Sequence, residues 1–321
     1  MPNLAFFEPI AIFTLLNVAM TVGLYVTALS GQLSMATAAI AGVGGYTSGI
    51  LTVKFGIPFV PAVVGGAFLG GLLGCVLALL TLKMRDFILK LTTLAAGEAL
   101  SVLAFNWDYI GGANSFTGLA PHTGLLTCVI VAAISLYAAW RFDGSRLGYG
   151  ARAVRDDPLA AASMGVSVAQ VRIVTFALGS AIIGMAGAVQ AHYLLVVTPS
   201  QLGFFVSLNY IIFLLFGGLQ TLAGPVLGAV VLTALPEALR FANEYRLIVY
   251  GLIIVAVMLW RTDGLLGRTP LGVARRVFGI TLRSARLPQT LLRAEDVLSP
   301  NTSAAKQTVT AKNRQGKTPW K

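Results

Sequence analysis

The stretch PFVPAVVGGAFLGGLLGCVLALLTL, residues 58–82, contains no charged side chain. An α-helix needs about 20 mostly apolar residues to cross the hydrocarbon core of a bilayer. The run is too continuous for the alternating pattern of a transmembrane β-strand, and lipid offers backbone groups no hydrogen-bond partner outside a helix or a closed barrel. Residues 58–82 therefore predict a transmembrane α-helix.

Comparable stretches recur on both sides of this one. The predicted spans are 6–29, 33–53, 58–82, 87–105, 123–140, 171–191, 204–217, 222–240 and 246–260. Composition agrees, because 56% of the 321 residues are hydrophobic, 11% are charged and the mean hydropathy is +0.81. Ordinary soluble globular proteins do not have this balance. We therefore expect an all-α polytopic membrane protein with about eight or nine transmembrane helices, some short or broken, in a transmembrane domain over residues 1–268.

Basic residues indicate which side of the membrane each loop faces. Cytoplasmic loops collect Lys and Arg. Three segments are basic, namely residues 83–90, residues 141–172 with five arginines, and the chain after Arg261. Nine alternating spans place all three on one side. This pattern predicts an external N-terminus and a cytoplasmic C-terminus.

The net charge of +11 comes almost entirely from the C-terminal segment, since residues 261–321 hold 12 basic and 3 acidic side chains. Within residues 271–287, apolar residues are interspersed with arginines, as in an interfacial amphipathic helix. Such a segment on a membrane protein is expected to bind anionic lipid rather than nucleic acid. We predict a basic cytoplasmic tail over residues 269–321, amphipathic at first and disordered after Pro288.

The sequence offers no pattern typical of an enzyme active site or a metal centre. The two histidines, His122 and His192, lie far apart, and neither has a cysteine or carboxylate nearby at metal-ligand spacing. The triplet Gly316-Lys317-Thr318 lacks the first glycine, the preceding strand and the following helix of a phosphate-binding loop. We expect no metal or cofactor on this chain, so that any ATP must bind to another chain.

Residues 141–172 interrupt the apolar pattern with a polar, basic loop. Asp156-Asp157-Pro158 predicts a helix start, with a carboxylate at the N-cap and proline at the first helical position. An alanine-rich helix follows, and a second short basic turn is predicted before it. An ordinary positive-inside loop is the alternative, but a small-residue surface helix suits insertion into a partner's groove. The candidate docking residues are Arg152, Arg155, Asp156, Asp157, Ala160, Ala161 and Gly165.

Small residues and one carboxylate stand out within the spans. The glycines recur at spacings that place several on one helical face, which predicts close helix packing, although they could also let helices slide or line a narrow path. Glu98 lies in the middle of a span, where an ionisable side chain is costly. It is either functional or hydrogen-bonded to a neighbouring helix. The candidate pathway or packing residues are Gly44, Gly45, Tyr46, Thr92, Thr93, Glu98, Asn209, Gly217, Gly218, Gly224 and Pro225.

Six segments follow one another along the chain, namely 31–47 (GQLSMATAAIAGVGGYT), 82–94, 110–121, 150–165, 217–228 and 261–267. In sequence and order they resemble segments of the permease subunits of ABC importers of the branched-chain amino acid type, the LivH/LivM family. The segment at 150–165 resembles the coupling helix that docks into the ATPase, with Leu159 in place of the usual glutamate, for which Asp156 or Asp157 could substitute. Thr262 stands where the family usually has proline.

The resemblance implies a membrane-spanning subunit of an ATP-driven importer in the bacterial cytoplasmic (inner) membrane. It implies a second permease subunit in a heterodimer, two ATPase subunits that bind ATP and Mg²⁺, and an external or periplasmic substrate-binding protein. The implied substrates are branched-chain amino acids or a related small neutral solute such as urea or an amide. The alternative is a self-sufficient secondary transporter or channel that uses Glu98.

Overall fold

The computed structural model describes residues 4–84, 86–239, 245–260 and 265. Two short antiparallel strands, β1 (Phe116–Thr117) and β2 (Val196–Val197), pair with each other. Within the described residues the α-helices are α1 (Leu4–Ala28), α2 (Thr37–Val53), α3 (Phe59–Thr81), α4 (Asp86–Asn106), α5 (Leu125–Asp143), α6 (Arg146–Asp156), α7 (Pro158–Ser163), α8 (Val168–Leu194), α9 (Phe204–Gly217), α10 (Ala223–Ala238) and α11 (Arg246–Trp260). The predicted tail over residues 269–321 lies outside the described residues.

Each predicted span coincides with an apolar helix in the described part of the chain. Five of these helices, α1, α3, α4, α5 and α8, are long and apolar enough to cross a membrane. The others, α2, α9, α10 and α11, are apolar but shorter. The two remaining helices, α6 and α7, fall within the polar loop at 141–172. The all-α, multi-pass membrane fold is confirmed.

Helix α8 lies at the centre of the bundle. It is the largest contact partner of α1, α2 and α3, and its side chains Phe176 and Ile183 are fully buried. By contrast, α3, α4 and α5 keep large apolar side chains exposed, among them Phe68, Leu103 and Ile134. Exposed apolar surface of this extent is expected where a helix faces lipid or another subunit.

The backbones of α2, α3 and α8 meet at glycines. A Cβ atom added at Gly66 would lie 2.7 Å from the carbonyl oxygen of Gly44, and a Cβ atom at Gly44 would overlap the backbone of Gly184. Gly187 faces the backbone of Ala41 in the same way. Small residues allow such close approach between membrane helices. These glycines therefore set the distance between the three helices.

Two segments inside the bundle are not α-helical. Residues 29–36 connect α1 to α2 and bury Ser30, Gln32 and Ser34. Residues 195–203 connect α8 to α9, and the turn Pro199–Leu202 within them packs on α2 and α4. Helix α1 ends at Ala28, and the left-handed φ of +81° at Gly31 turns the chain away from it. Helix α2 begins at Thr37, four residues later than the start predicted at 33.

Candidate coupling surface and mid-membrane site

Helices α6 and α7 form the polar surface that the sequence places at 141–172. The hydroxyl of Ser145 caps α6 by accepting a hydrogen bond from the Gly148 N–H at 3.1 Å. The short basic turn predicted around Arg152 and Arg155 is instead part of this 11-residue helix. The prediction was too short because the buried Ala151 side chain stabilises α6 through packing rather than through local propensity.

Asp157 both ends α6 and begins α7. Its carboxylate accepts hydrogen bonds from the N–H groups of Leu159 and Ala160 at 2.8 and 3.0 Å, and Pro158 occupies the first helical position. Helix α7 ends before Gly165, whose φ is +84°. The helix start predicted from the sequence is therefore present, with Asp157 rather than Asp156 as the cap.

Helix α7 exposes most of its surface. Leu159 and Met164 are 83% and 84% exposed, whereas Ala161 packs inward. Leu159 in α7 and Met164 directly after it are large apolar side chains outside the membrane-spanning segments, and their exposure favours contact with another protein. The arrangement can therefore seat α7 in an apolar groove of a partner.

An ion pair fixes α6 to the end of α5. The guanidinium of Arg152 pairs with the carboxylate of Asp143 and also donates to the Asp143 carbonyl oxygen at 2.9 Å. The hydrogen bond to Asp143 raises the pKa of Arg152 above its ordinary value. Tyr25, from α1, lies 3.4 Å from the same carboxylate. Arg152 is thus engaged within the chain, where it holds α6 against the end of α5.

The buried segment at residues 29–36 leads from α6 into the membrane. Gly31 packs on the Arg155 side chain, since a Cβ atom there would lie 3.5 Å from Arg155 Cγ. Next to it, the Thr175 hydroxyl of α8 donates to Ser30 Oγ at 2.9 Å. Movement of α6 would therefore press directly on the chain that leads into α2.

The far end of the same segment is tied to α4 and α9. The Met35 N–H donates to Thr93 Oγ1, and the Ala38 N–H donates to Ser207 Oγ, both at 3.0 Å. These bonds satisfy backbone donors at the start of α2, where no helical partner exists. A continuous path of contacts thus runs from the surface helices to α4 and α9.

Glu98 caps α9 near the middle of the bundle. It lies 12 residues from the start of α4 and 8 residues from its end, or about 18 and 12 Å along the helix axis. Its Oε1 accepts a hydrogen bond from the Phe204 N–H at 2.6 Å. A carboxylate is favourable at a helix N-terminus, which carries partial positive charge. Of the two interpretations of Glu98, this contact matches the hydrogen bond to a neighbouring helix.

The other polar pathway candidates do not gather around Glu98. The Tyr46 hydroxyl lies 3.4 Å from the Val197 carbonyl oxygen, and the Thr92 hydroxyl lies 3.2 Å from Met84 Sδ. Asn209 is exposed on α9 and donates to a carbonyl of its own helix. Only Glu98 and Asn209 lie on exposed faces of neighbouring helices.

The late glycines form the turn between α9 and α10. A Cβ atom at Gly217 would overlap the Gly224 backbone, and Gly218 has a φ of +99°. Pro225 is buried in the first turn of α10. In the described structure these residues serve close backbone packing at the end of α9.

The two histidines, which are distant in sequence, are neighbours in the fold. Their ring centroids lie 6.3 Å apart, and Nδ1 of each lies within 3.5 Å of the Ala120 carbonyl oxygen. His122 also stacks on Phe59. Among the described residues there is no group of three or more His, Cys, Asp or Glu side chains suited to a metal ion.

Several residues of the contact path from α6 to α4 and α9 were missed by sequence reasoning. Ser30, Thr175, Ser207 and Asp143 each make one of its contacts. Their only signal in the sequence is a polar side chain within or beside an apolar run, and that signal does not say which partner it meets.

Comparison with known proteins identifies the family. Residues 7–258 match the family described as branched-chain amino acid transport system, permease component. The chain is 26% identical to the high-affinity branched-chain amino acid transport system permease protein LivM of Salmonella typhimurium, over 81% of this chain and 70% of that protein.

More distant relatives agree. LivH of Salmonella typhimurium is 26% identical over 51% of this chain and 54% of its own length. The probable permease LivM of Methanocaldococcus jannaschii is 24% identical over 65% of this chain and 68% of its own. No solved structure gives a significant match. The chain therefore belongs to the family of permease components of branched-chain amino acid transport systems.

Proposed function

We propose that this permease is a membrane-spanning subunit of an ATP-driven importer that moves leucine, isoleucine and valine into the cytoplasm. The names of the relatives support this class of substrate. The observation that carries the proposal is α7, a capped helix outside the membrane-spanning segments, where Leu159 and the following Met164 are exposed. A rigid helix of this kind suits an ATPase groove and can transmit its closure to the bundle.

The distribution of charge supports a cytoplasmic position for α6 and α7, and with it a cytoplasmic C-terminus in the inner membrane. Arg172 donates to the Leu82 carbonyl oxygen at 3.0 Å, so the connection between α3 and α4 shares the face of the basic helix α6. Lys54 lies on the opposite face, beside Tyr109. Basic residues concentrate on the cytoplasmic side of membrane proteins.

The proposed complex contains a second permease subunit, two ATPase subunits and an external binding protein. The exposed faces of α4 and α9 around Glu98 and Asn209 would meet the second permease and line the pathway between them. ATP and Mg²⁺ would bind to the ATPase subunits, and this chain would carry out no chemical step. The central experiment is to purify the native complex through a tag on this chain and to identify the co-purifying chains by mass spectrometry. Recovery of this chain alone, still folded, would contradict the proposal.

Substitution of Leu159 by arginine should release the ATPase subunits. The substitution places charge on the most exposed apolar surface of α7 without touching the Asp157 cap. We expect at least a tenfold lower yield of co-purified ATPase, while the second permease is retained. Leu159→Met is the matched control and should behave as the wild type. Equal ATPase recovery with Leu159→Arg would exclude α7 as the docking helix.

Two substitutions of Glu98 separate the importer from a secondary transporter. Glutamine keeps an oxygen that accepts from the Phe204 N–H, whereas alanine leaves that donor without a partner. In the importer, uptake should be near wild type with Glu98→Gln, several-fold lower with Glu98→Ala, and insensitive to ionophores that collapse ion gradients. Ionophore-sensitive wild-type uptake that becomes insensitive in Glu98→Gln would favour the secondary transporter.

A further inference from the structure

A cavity of about 240 Å³ lies among α1, α2, α8 and α9. The turn Pro199–Leu202 contributes Gln201 to its wall. No lining residue carries a formal charge. The apolar part of the wall consists of Phe13, Ala38, Ala41, Gly42, Gly45, Gly187, Ala191, Leu194, Val197 and Val206.

Three polar side chains line the same cavity, namely Gln190, Gln201 and Tyr210. None of the three side chains forms a hydrogen bond with another residue in the described part of the chain. Tyr210 is only 5% exposed. A buried hydroxyl without a hydrogen-bond partner is costly and needs an explanation. The hydroxyl of the buried Tyr210, the amide of the half-buried Gln190 and the amide of the exposed Gln201 border one cavity, so a ligand there can hydrogen-bond to all three.

The polar groups on the exposed faces of α4 and α9 differ from those in the cavity, because they already have hydrogen-bond partners within the chain. The carboxylate of Glu98 is held by the Phe204 N–H, and the amide of Asn209 is held by the Phe205 carbonyl. Gln201 connects the cavity with the exposed faces of α4 and α9. It is exposed, and it lies two residues before Gly203, which is next to the Glu98 carboxylate. The protein's hydrogen-bonding groups that are still free to bind a solute therefore lie in the cavity rather than on the exposed faces of α4 and α9.

The size and charge of the cavity limit what can enter it. A volume of 240 Å³ corresponds to about eight water molecules at roughly 30 Å³ each. A solute of the size of leucine fits within this space. The uncharged wall favours a solute without net charge.

We infer that this cavity is a binding site for a small net-neutral solute of about the size of leucine, whose polar groups are hydrogen-bonded by Gln190, Gln201 and Tyr210. The inference rests on the proposed function, in which this solute is the substrate during its passage. The apolar part of the solute packs on the alanine and glycine surface of α2 and α8, and the site lies within this subunit alone.

Protection of an engineered thiol tests the site. In the full complex with its binding protein and ATP, Val206→Cys would be introduced with Cys75→Ser and Cys128→Ser, and the rate of labelling by methyl methanethiosulfonate would be measured. Leucine should slow the labelling at least fivefold. Val64→Cys is the control, because Val64 is exposed on α3 away from the cavity, and its labelling should not respond.

The possible outcomes separate this inference from the proposed function. If leucine, urea and acetamide all leave the labelling of Val206→Cys unchanged while leucine uptake is ATP-driven, the cavity is not a solute site. If only urea or acetamide protects the thiol, the site stands and the proposed substrate is wrong. A wild-type complex without ATP-driven uptake contradicts the proposed function, whatever the labelling result.

Removal of one hydroxyl tests the hydrogen bonds. Tyr210→Phe keeps the shape of the side chain and should weaken protection by leucine about three- to tenfold, the effect of one lost hydrogen bond. Tyr137→Phe, on the exposed face of α5, is the matched control. If leucine protects the engineered thiol equally well in Tyr210→Phe and Tyr137→Phe, the proposed hydrogen bond from Tyr210 is wrong.

Discussion

Alanine in place of Gly44 should reduce the amount of folded protein in the membrane at least tenfold. The added methyl group would overlap the backbone of Gly184, which cannot rotate away as a side chain could. Helices α2 and α8 would have to move apart. Helix α3 would be displaced as well, because its Gly66 packs on the carbonyl oxygen of Gly44. Overpacking costs about 1–3 kcal/mol even where side chains can adjust, and here the backbone itself must move.

The matched control is Gly251→Ala. Gly251 lies inside α11, and a Cβ atom there would meet nothing within 4 Å. Alanine should therefore be tolerated, with a gain of about 1 kcal/mol from helix propensity. Size-exclusion profiles and thermal unfolding in mild detergent would measure both variants. A Gly44→Ala protein as abundant and as monodisperse as the wild type would show that α2 and α8 do not approach this closely.

Alanine in place of Asp157 should abolish uptake while the protein still inserts into the membrane. Helix α7 has six residues, too few to be stable alone, and the Asp157 carboxylate provides two of its N-terminal hydrogen bonds. Loss of an N-cap costs about 1–2 kcal/mol, which is enough to unfold so short a helix. We expect at least a tenfold loss of substrate uptake together with loss of the ATPase subunits.

Two neighbouring substitutions give this experiment its controls. Asp157→Asn keeps an oxygen that can cap the helix and should retain most of the uptake. Asp156→Ala removes an equally charged side chain that is exposed and forms only a 3.5 Å contact with Arg155, so it should have little effect. If Asp157→Ala and Asp156→Ala transport equally well, the order of α7 does not matter for coupling.

The sequence predicts those parts of the structure that depend on local pattern. The thickness of the bilayer fixes the length of an apolar helix, and the predicted spans therefore coincide with helices. The start of α7 follows from Asp157 and Pro158 alone, since a cap acts within two or three residues. Helix α6 was underestimated because Gly148 and Gly150 lower its propensity, while the packing of Ala151 and Val154 stabilises it.

Contacts between distant residues could not be predicted. Glu98 and Phe204 are separated by 106 positions, and their hydrogen bond depends on the break that ends α8 and places α9 beside α4. Gln190, Gln201 and Tyr210 share a cavity for the same reason. One sequence shows that such residues are polar, but only the packing of the helices determines which of them meet.

The central position of α8 has a consequence for the synthesis of the protein. A ribosome delivers α1, α2 and α3 to the membrane before Val168, the first residue of α8, has been made. Until then, the glycine faces of α2 and α3 lack the helix against which they pack most extensively. We expect these early helices to stay loosely associated in the bilayer and to be accessible to membrane proteases. Assembly of the core would thus await a helix from the second half of the chain, and a nascent chain arrested before α8 should be degraded rather than stored.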